Sequence, residues 1–574
     1  MRHKFLSKVL LLVTVLLIQA CSQGKYIYWR TPEALPEQQV NGYLAYQYIE
    51  MNQVPLAELA EYCLHLQSQQ TVGYQLHLLQ LSCAQRWLAL PLSVSQQEQA
   101  TALYNAALMP LVRAAITGTD TRHLNVSLRF VADNDEQGQA FEHFYLAEDL
   151  QAYDSFITPI TDNGVGIRAI GQRENSHTGL DKYYPPEGVF RPLTILPVSI
   201  DFSDPVMPVL TLRAVFTDTL FWQIGDQKYP LNSDPASAYL CLVEVAVADQ
   251  LEQTGLFNAD KVEDKLGIYA IEPPMPDKIP LLMIHGLNSS PLIWRRLSWA
   301  VFSDAELAKK YQIWHAFYPS GPPPFFNAMR LRHLADALRA HTSADAASVS
   351  LNNMVVIGHS MGGLIAKTFV QNSERALWDT TFYQPPDKLQ LDANTLKTLQ
   401  DILIFSARPY VSAAFFLDTP HRGADTADSW LARLASGLIS LPSAMKNVFS
   451  KLWLGLTAED IKPQMRTYMR GSGPNSVDVL SPRHPLLQQL SQLPFTVPVY
   501  SVIGNNNSER CQDVQQCPDM NDSVVPYSSA HLDNAAAEII VPSAHNSYQS
   551  DQAISFILGM LRQLPVNVPN AKDK

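Results

Sequence analysis

This chain is short of positive charge, of long apolar runs and of cysteine, and each shortage removes something from consideration. Its 54 acidic residues face 42 basic ones, a formal charge of −12 at pH 7, and no basic cluster interrupts that excess. Such a balance argues against nucleic acid as a partner. Beyond residue 20 no stretch reaches the roughly 18 uninterrupted apolar residues that a spanning helix needs. Six cysteines, none at zinc-ligand spacing, give no reason to expect a structural metal, and no cofactor is expected. What is present is length and apolar content. The 574 residues, 47% of them hydrophobic, suffice for three or four domains with substantial cores.

The earliest apolar run is informative because it is short. Arg2, His3, Lys4 and Lys8 precede Val9-Leu10-Leu11-Leu12-Val13-Thr14-Val15-Leu16-Leu17-Ile18, which is too brief for a bilayer but fits a secretory signal. It ends in Ile18-Gln19-Ala20-Cys21. This resembles the lipobox of bacterial lipoproteins, in which the signal is cut before the cysteine and that cysteine carries lipid. The resemblance implies a signal peptide at 1–20 and a palmitate-type acyl anchor on Cys21. With Ser22 rather than Asp next, it also implies the outer membrane, periplasmic face. The alternative is an ordinary signal peptide with an incidental cysteine. Loss of Arg2, Lys4 and Lys8 with the leader leaves 39 basic residues against 54 acidic ones, a charge of −15. Attraction to anionic lipid is then weak, and Cys21 is the expected membrane attachment. In an oxidising compartment Cys63 with Cys83 could staple two helices and Cys511 with Cys517 could close a small loop, while Cys241 reads as a buried, inert thiol.

Composition shifts divide the rest. Residues 21–40, with Pro32 and Pro36, read as a tether. Residues 41–118 show helical periodicity through Leu56, Leu59, Ala60 and Cys63, then Tyr74, Leu78 and Leu81, then Leu103, Ala106 and Ala107. They read as a helical domain without a clear repeat. Residues 119–275 read as a β-rich domain, with period-two alternation from Leu124 and again from Val209 to Phe216. From 276 to 566 strands alternate with helices, the mark of a parallel sheet covered on both faces, and residues 567–574 form a tail. The expected strands are 279–284, 312–318, 354–357, 411–417, 497–503 and 538–541, and the expected helices include 291–310, 328–341 and a final amphipathic one with Ile554, Ile557, Leu558 and Leu561.

The chemistry centres on Gly358-His359-Ser360-Met361-Gly362, which closes the apolar run Met354-Val355-Val356-Ile357 and opens a helix-compatible run. Strand, sharp turn and helix in that order form a serine nucleophile elbow, with small residues where the backbones must meet. A Gly-rich turn with a capping serine is the bland alternative. A serine hydroxyl attacks only when a histidine takes its proton and a carboxylate orients that histidine. In the chain order Ser, acid, His, the candidates are Asp522 in Asn521-Asp522-Ser523-Val524-Val525-Pro526 and His545 in Ser543-Ala544-His545-Asn546-Ser547. Asp418, at the end of an earlier strand, and Asp519 compete for the acid, and His421, His484 and His531 for the base. Oxyanion donors are expected from the backbone N–H groups of Met361 and of Leu287 in His285-Gly286-Leu287-Asn288.

Together His285-Gly286-Leu287-Asn288-Ser289-Ser290-Pro291, Tyr318-Pro319-Ser320-Gly321, Gly358-His359-Ser360-Met361-Gly362-Gly363 and Thr419-Pro420-His421-Arg422-Gly423 resemble the lipase-like α/β-hydrolases, particularly bacterial exported members. The resemblance covers about residues 276–566 and implies an α/β-hydrolase fold and a serine esterase acting on ester or lipid substrates through an acyl-enzyme. Acyl transfer, or thioester or amide cleavage, by the same residues is the alternative activity. A non-catalytic scaffold lipoprotein keeping the fold is the alternative class, and a protein partner for the N-terminal domains is left open. Residues 427–456 carry two apolar helical faces, Trp430, Leu431, Leu434, Leu438 and Leu441, then Met445, Val448, Phe449, Leu452 and Trp453. They read either as a lid over the site or as a core-facing helical pair.

Overall fold

The computed structural model describes residues 27–29, 44–68, 73–122, 126–152, 164–204, 206–216, 221–247, 259–342, 348–424, 439, 441–457, 459–469, 473–509, 511, 515, 517 and 519–566. The signal segment and Cys21 lie outside the described residues. The chain divides into two compact units, Met1–Ser176 with Glu187–Val247, and His177–Pro186 with Ala248–Lys574.

In the first unit, helices α1 (Leu44–Gln53), α2 (Leu59–Gln67), α3 (Tyr74–Leu88) and α4 (Val94–Ile116) precede the sheet. Ser93 begins α4 with a capping box, its side chain accepting from Gln96 N while the Gln96 side chain accepts from Ser93 N. Cys63 and Cys83 form a disulfide between α2 and α3. The strands are β1 (Ile27–Trp29), β2 (Ser127–Ala132), β3 (His143–Leu146), β4 (Leu150–Ala152), β5 (Ile167–Arg173), β6 (Val189–Asp201), β7 (Val209–Phe216), β8 (Phe221–Ile224) and β9 (Gln227–Pro230), followed by helix α5 (Pro235–Val247). Five of them make one sheet in the order β2-β7-β6-β5-β3, β8 and β9 form a separate hairpin, and β1 pairs antiparallel with β4. Residues 27–29, expected to be tether, are thus strand.

The expected boundary near 118 is not a boundary of this unit. Leu78, Leu81, Trp87, Tyr104 and Leu108 of the helices share one apolar cluster with Leu193, Ile195, Leu210 and Leu212 of the sheet. Helices with one apolar stripe and a sheet with one apolar face each need a cover, and here they cover each other. Cys241 is a buried free thiol in α5.

The second unit holds strands β10 (Gly267–Ala270), β11 (Ile279–Ile284), β12 (Tyr311–Phe317), β13 (Met354–His359), β14 (Val411–Leu417), β15 (Val499–Gly504) and β16 (Ala537–Val541). They form a seven-stranded sheet in the order β10-β12-β11-β13-β14-β15-β16, parallel except at the β10 edge. The expected strands therefore exist within one or two residues of their expected ends. β10 adds residues upstream of 276 to this sheet, so the domain starts earlier than the sequence suggested. Strands β11, β12 and β13 are buried along their whole length, which explains why β11 and the first four residues of β13 read as continuous apolar runs rather than alternating ones.

Around the sheet stand α6 (Arg295–Phe302), α7 (Pro324–Thr342), α8 (Met361–Lys367), α9 (Ala376–Thr381), α10 (Ala393–Leu403), α11 (Ser443–Gly455), α12 (Pro485–Gln492) and α13 (Asp551–Gln563). Ser550 caps α13, which buries Ala553, Ile554, Ile557 and Leu561 at helical spacing. Of the insertion at 427–456, residues 427–438 and 440 lie outside the described residues, as does the side chain of Trp453. Its second half is α11, which buries Met445, Phe449 and Leu452 in a cluster with Phe325, Phe326, Trp378, Phe382 and Leu399. Among the described residues no helix is long and apolar enough to cross a membrane.

The register sets the working edge. His359 lies opposite Leu417, Leu417 opposite Val502, and Gly504 opposite Val541. The chain accordingly leaves four adjacent strands at Ser360, Asp418, Asn505 and Pro542 along one carboxyl edge, where open α/β sheets place their sites.

Candidate active site

Ser360 sits between β13 and α8 with φ 53° and ψ −124°, a conformation that a residue with a side chain adopts at a cost on the order of 1–3 kcal/mol. Two backbone bonds hold the turn, Ser360 N to Leu417 O at 2.8 Å and Gly363 N to Ser360 O at 2.9 Å. Close approach explains the small neighbours. A Cβ on Gly362 would strike the backbone of Ile284 and His285, and one on Gly363 would strike the Thr419 side chain. The sequence predicted this crowding from the glycine spacing alone.

From that turn a hydrogen-bonded chain runs across the sheet edge. Ser360 Oγ lies 2.8 Å from His545 Nε2, and His545 Nδ1 lies 2.7 Å from Asp522 Oδ2. Asp522 Oδ1 accepts the N–H groups of Val524 at 2.8 Å and Val525 at 2.7 Å, which orients the carboxylate before any substrate arrives. The three side chains are largely withdrawn from water, Asp522 most of all. Burial opposes a charged His545, but the charge and hydrogen bond of Asp522, with the charge of Asp418, outweigh it and raise the imidazole pKa above its ordinary value. An imidazole in this arrangement can accept a proton from a hydroxyl at 2.8 Å and, once charged, lies beside a carboxylate.

The expected oxyanion turn lies against the same serine. A Cβ on Gly286 would come within 3.0 Å of Ser360 Cβ, so the turn that leads into the buried Leu287 lies against Ser360. Asn288 N donates to Ser320 Oγ at 3.1 Å and Tyr318 Oη donates to His285 O at 2.6 Å, so the turn is braced from the loop after β12. Burial lowers the His285 pKa to about 4, and its ring stacks on Tyr318 at 4.3 Å. It is a neutral structural histidine. Met361, the other expected donor, is the buried first residue of α8.

The competing candidates have other occupations. Asp519 is exposed. His421 is buried edge-on to Phe416, with ring centroids 5.0 Å apart. His484 is buried against Tyr468. His531 Nδ1 lies 2.8 Å from Glu538 Oε2. Asp418 is the exception, because it lies at the site without touching the serine. Its Oδ1 accepts Gly504 N at 2.8 Å and its Oδ2 accepts Ser547 N at 2.9 Å. His359 stands 3.6 Å from Asp418 Oδ2, its ring 5.0 Å from that of His545 and edge-on to Tyr548. Sequence reading weighed Asp418 only as an acid. Nothing in the local sequence reveals that its two oxygens meet amides 86 and 129 residues away.

Among the described residues, His359, Asp418 and His545 form the one group whose donor atoms lie close enough together, within 4.8 Å, to suggest a metal ion. Both oxygens of Asp418 are engaged by amides, and both nitrogens of His545 by Asp522 and Ser360. Asp418 and His545 are therefore committed to other partners, and of this set only His359 keeps ring nitrogens outside any hydrogen bond.

Residues 281–506 match the model of the alpha/beta hydrolase family. Nothing matches among curated proteins. Among solved structures, a Bacillus licheniformis lipase in mature form is 16% identical over 51% of this chain and 97% of its own, with a TM-score of 0.30. A lipase-esterase related protein from Clostridium acetobutylicum is 12% identical over 52% and 99%, with a TM-score of 0.25. A butyrate-bound esterase from Thermogutta terrifontis is 14% identical over 53% and 91%, with a TM-score of 0.26.

Proposed function

The region 281–506 is an α/β-hydrolase domain, and from that premise we propose that this protein is a serine hydrolase of carboxylic esters, with Ser360, His545 and Asp522 as its catalytic residues. The observation that carries the reading is the unbroken chain from Ser360 Oγ through His545 to Asp522, at 2.8 and 2.7 Å. His545 Nε2 takes the hydroxyl proton as Ser360 Oγ attacks the ester carbonyl. The N–H groups of Met361 and Leu287 receive the oxyanion, and the imidazolium returns the proton to the leaving alcohol. An acyl group then rests on Ser360 until water, activated by the same histidine, releases it as an acid.

The substrate class we propose is acyl-lipid ester, at a membrane reached through lipidated Cys21 on the periplasmic face of a bacterial outer membrane. The support is the run Ile18-Gln19-Ala20-Cys21 alone, since the described half of the 427–456 insertion packs Met445, Phe449 and Leu452 into the core. The deciding experiment is fluorophosphonate labelling of the full chain, followed by turnover of a chromogenic butyrate ester. Wild type labels at Ser360 and turns over, and Ser360→Ala does neither while its circular dichroism is unchanged. Full esterase activity in Ser360→Ala refutes the reading.

A further inference from the structure

Asp418 directly follows β14 in a left-handed conformation, φ 49°, and is fully buried. A buried carboxylate at a strained backbone position is expensive unless its bonds are complete, and its geometry shows what completes them. One oxygen takes the N–H of Gly504, the last residue of β15, from which the chain runs on toward Asp522. The other takes the N–H of Ser547, two residues beyond His545. Backbone pairing of Asp418 N with Val502 O at 2.9 Å fixes the carboxylate relative to the sheet. The loops it joins are packed without slack, since a Cβ on Gly504 would come within 2.8 Å of Ala544 O and 3.0 Å of Asp522 Cβ. A single side chain thus ties together the two segments that carry the acid and the base.

Resting on the serine hydrolase reading above, we propose that Asp418 is a positioning residue of this site. It clamps the Asp522 and His545 loops in register with Ser360 and places a second negative charge beside the imidazole. The titratable groups that face it are His359 at 3.6 Å on the elbow, His545 on its own loop and Asp522 beyond it, and His359 acts in turn on His285. Burial keeps His359 and His285 below their ordinary pKa, so neither supplies a competing positive charge near neutrality. Asp418 itself is held below the usual carboxylate range. Burial alone would raise it, and the neighbouring His359 and His545 with the Ser547 amide more than offset that. The charge therefore persists through the working pH range and favours the imidazolium formed during attack.

The test uses the full chain with a short soluble ester, active sites being counted by fluorophosphonate titration. Asp418→Asn removes the charge and leaves only one oxygen for two amides. The expected result is a fall of about tenfold to a hundredfold in kcat per titrated site, because small misplacements of catalytic groups cost on that order. KM changes little, and the acid limb of the kcat/KM profile moves to lower pH as His545 loses one of its two negative neighbours. Asp418→Glu keeps the charge and displaces it, so it loses kcat while the limb stays in place. This variant carries the test if Asp418→Asn does not fold. Unchanged kcat per site with an unmoved limb in the variants that fold overturns the proposal. So does severe loss in Asp418→Asn beside a mild Asp522→Asn, which makes Asp418 the catalytic acid. An active Ser360→Ala, by contrast, refutes the hydrolase reading itself.

Discussion

Asp522 holds His545 with one oxygen only, Oδ2 at 2.7 Å from Nδ1, while its other oxygen is taken by the amides of Val524 and Val525. The carboxylate cannot rotate away without breaking three bonds, so the tautomer of His545 is set by the loop rather than by the approach of a substrate. Nδ1 carries the proton and Nε2 faces Ser360.

Asp522→Asn keeps the size of the side chain but presents an amide that can stabilise the wrong tautomer. Turnover of a short ester should fall by roughly 10⁴-fold, with circular dichroism unchanged. Steady-state kinetics on the purified variant measure it, and a loss of less than tenfold contradicts the assignment.

The raised pKa of His545 sets the sign of the pH dependence. Only neutral imidazole accepts the serine proton, so kcat/KM should climb with pH through a limb lying above 6.5, the ordinary histidine value. The same pairing contributes stability that is fully present below the unfolded-state pKa. That contribution is lost as pH rises through the higher folded-state value. A pH–rate profile and denaturant unfolding at several pH values test the two halves, and a limb below 6.5 contradicts the charge arrangement.

Leu452 is fully buried in the cluster that α11 shares with Trp378 and Phe382. Leu452→Ala should cost about 2–5 kcal/mol and lower the melting temperature by several degrees. Short-ester turnover well below that temperature should be unaffected. Thermal unfolding followed by fluorescence checks it, and an unshifted melting temperature means that this face of the helix is not packed in solution.

The anchoring proposal rests on four residues ahead of the described chain. Cys21→Ala should abolish incorporation of labelled palmitate in a bacterial host and leave the signal uncut at that site. Persistent labelling of the variant refutes the lipobox.

Much of the second unit was legible because its information is local. Strands β11 and β14 coincide with their apolar runs, since a strand covered on both faces reads as a near-continuous apolar stretch. The elbow was legible for a related reason. Backbones that nearly touch demand glycine on either side of Ser360, and that demand is written within five residues. β10 was missed because four residues pairing at an edge leave too short a pattern to separate from the β-rich stretch before it. The core that helices and sheet share across residue 118 was not legible, because periodicity reports which face of an element is apolar, not which element covers it.

The sequence by itself determined the serine elbow, the order of strands and helices around it, and the short set of acids and bases that could accompany it, because residue type and short-range spacing carry that information. Only the tertiary structure decided which of them meet. Asp522, Asp418 and His545 are far apart along the chain, and parallel pairing of β13, β14, β15 and β16 brings them to one edge. There hydrogen-bond geometry, sensitive to tenths of an ångström, gives His545 to Asp522 and leaves Asp418 holding the backbone amides of Gly504 and Ser547.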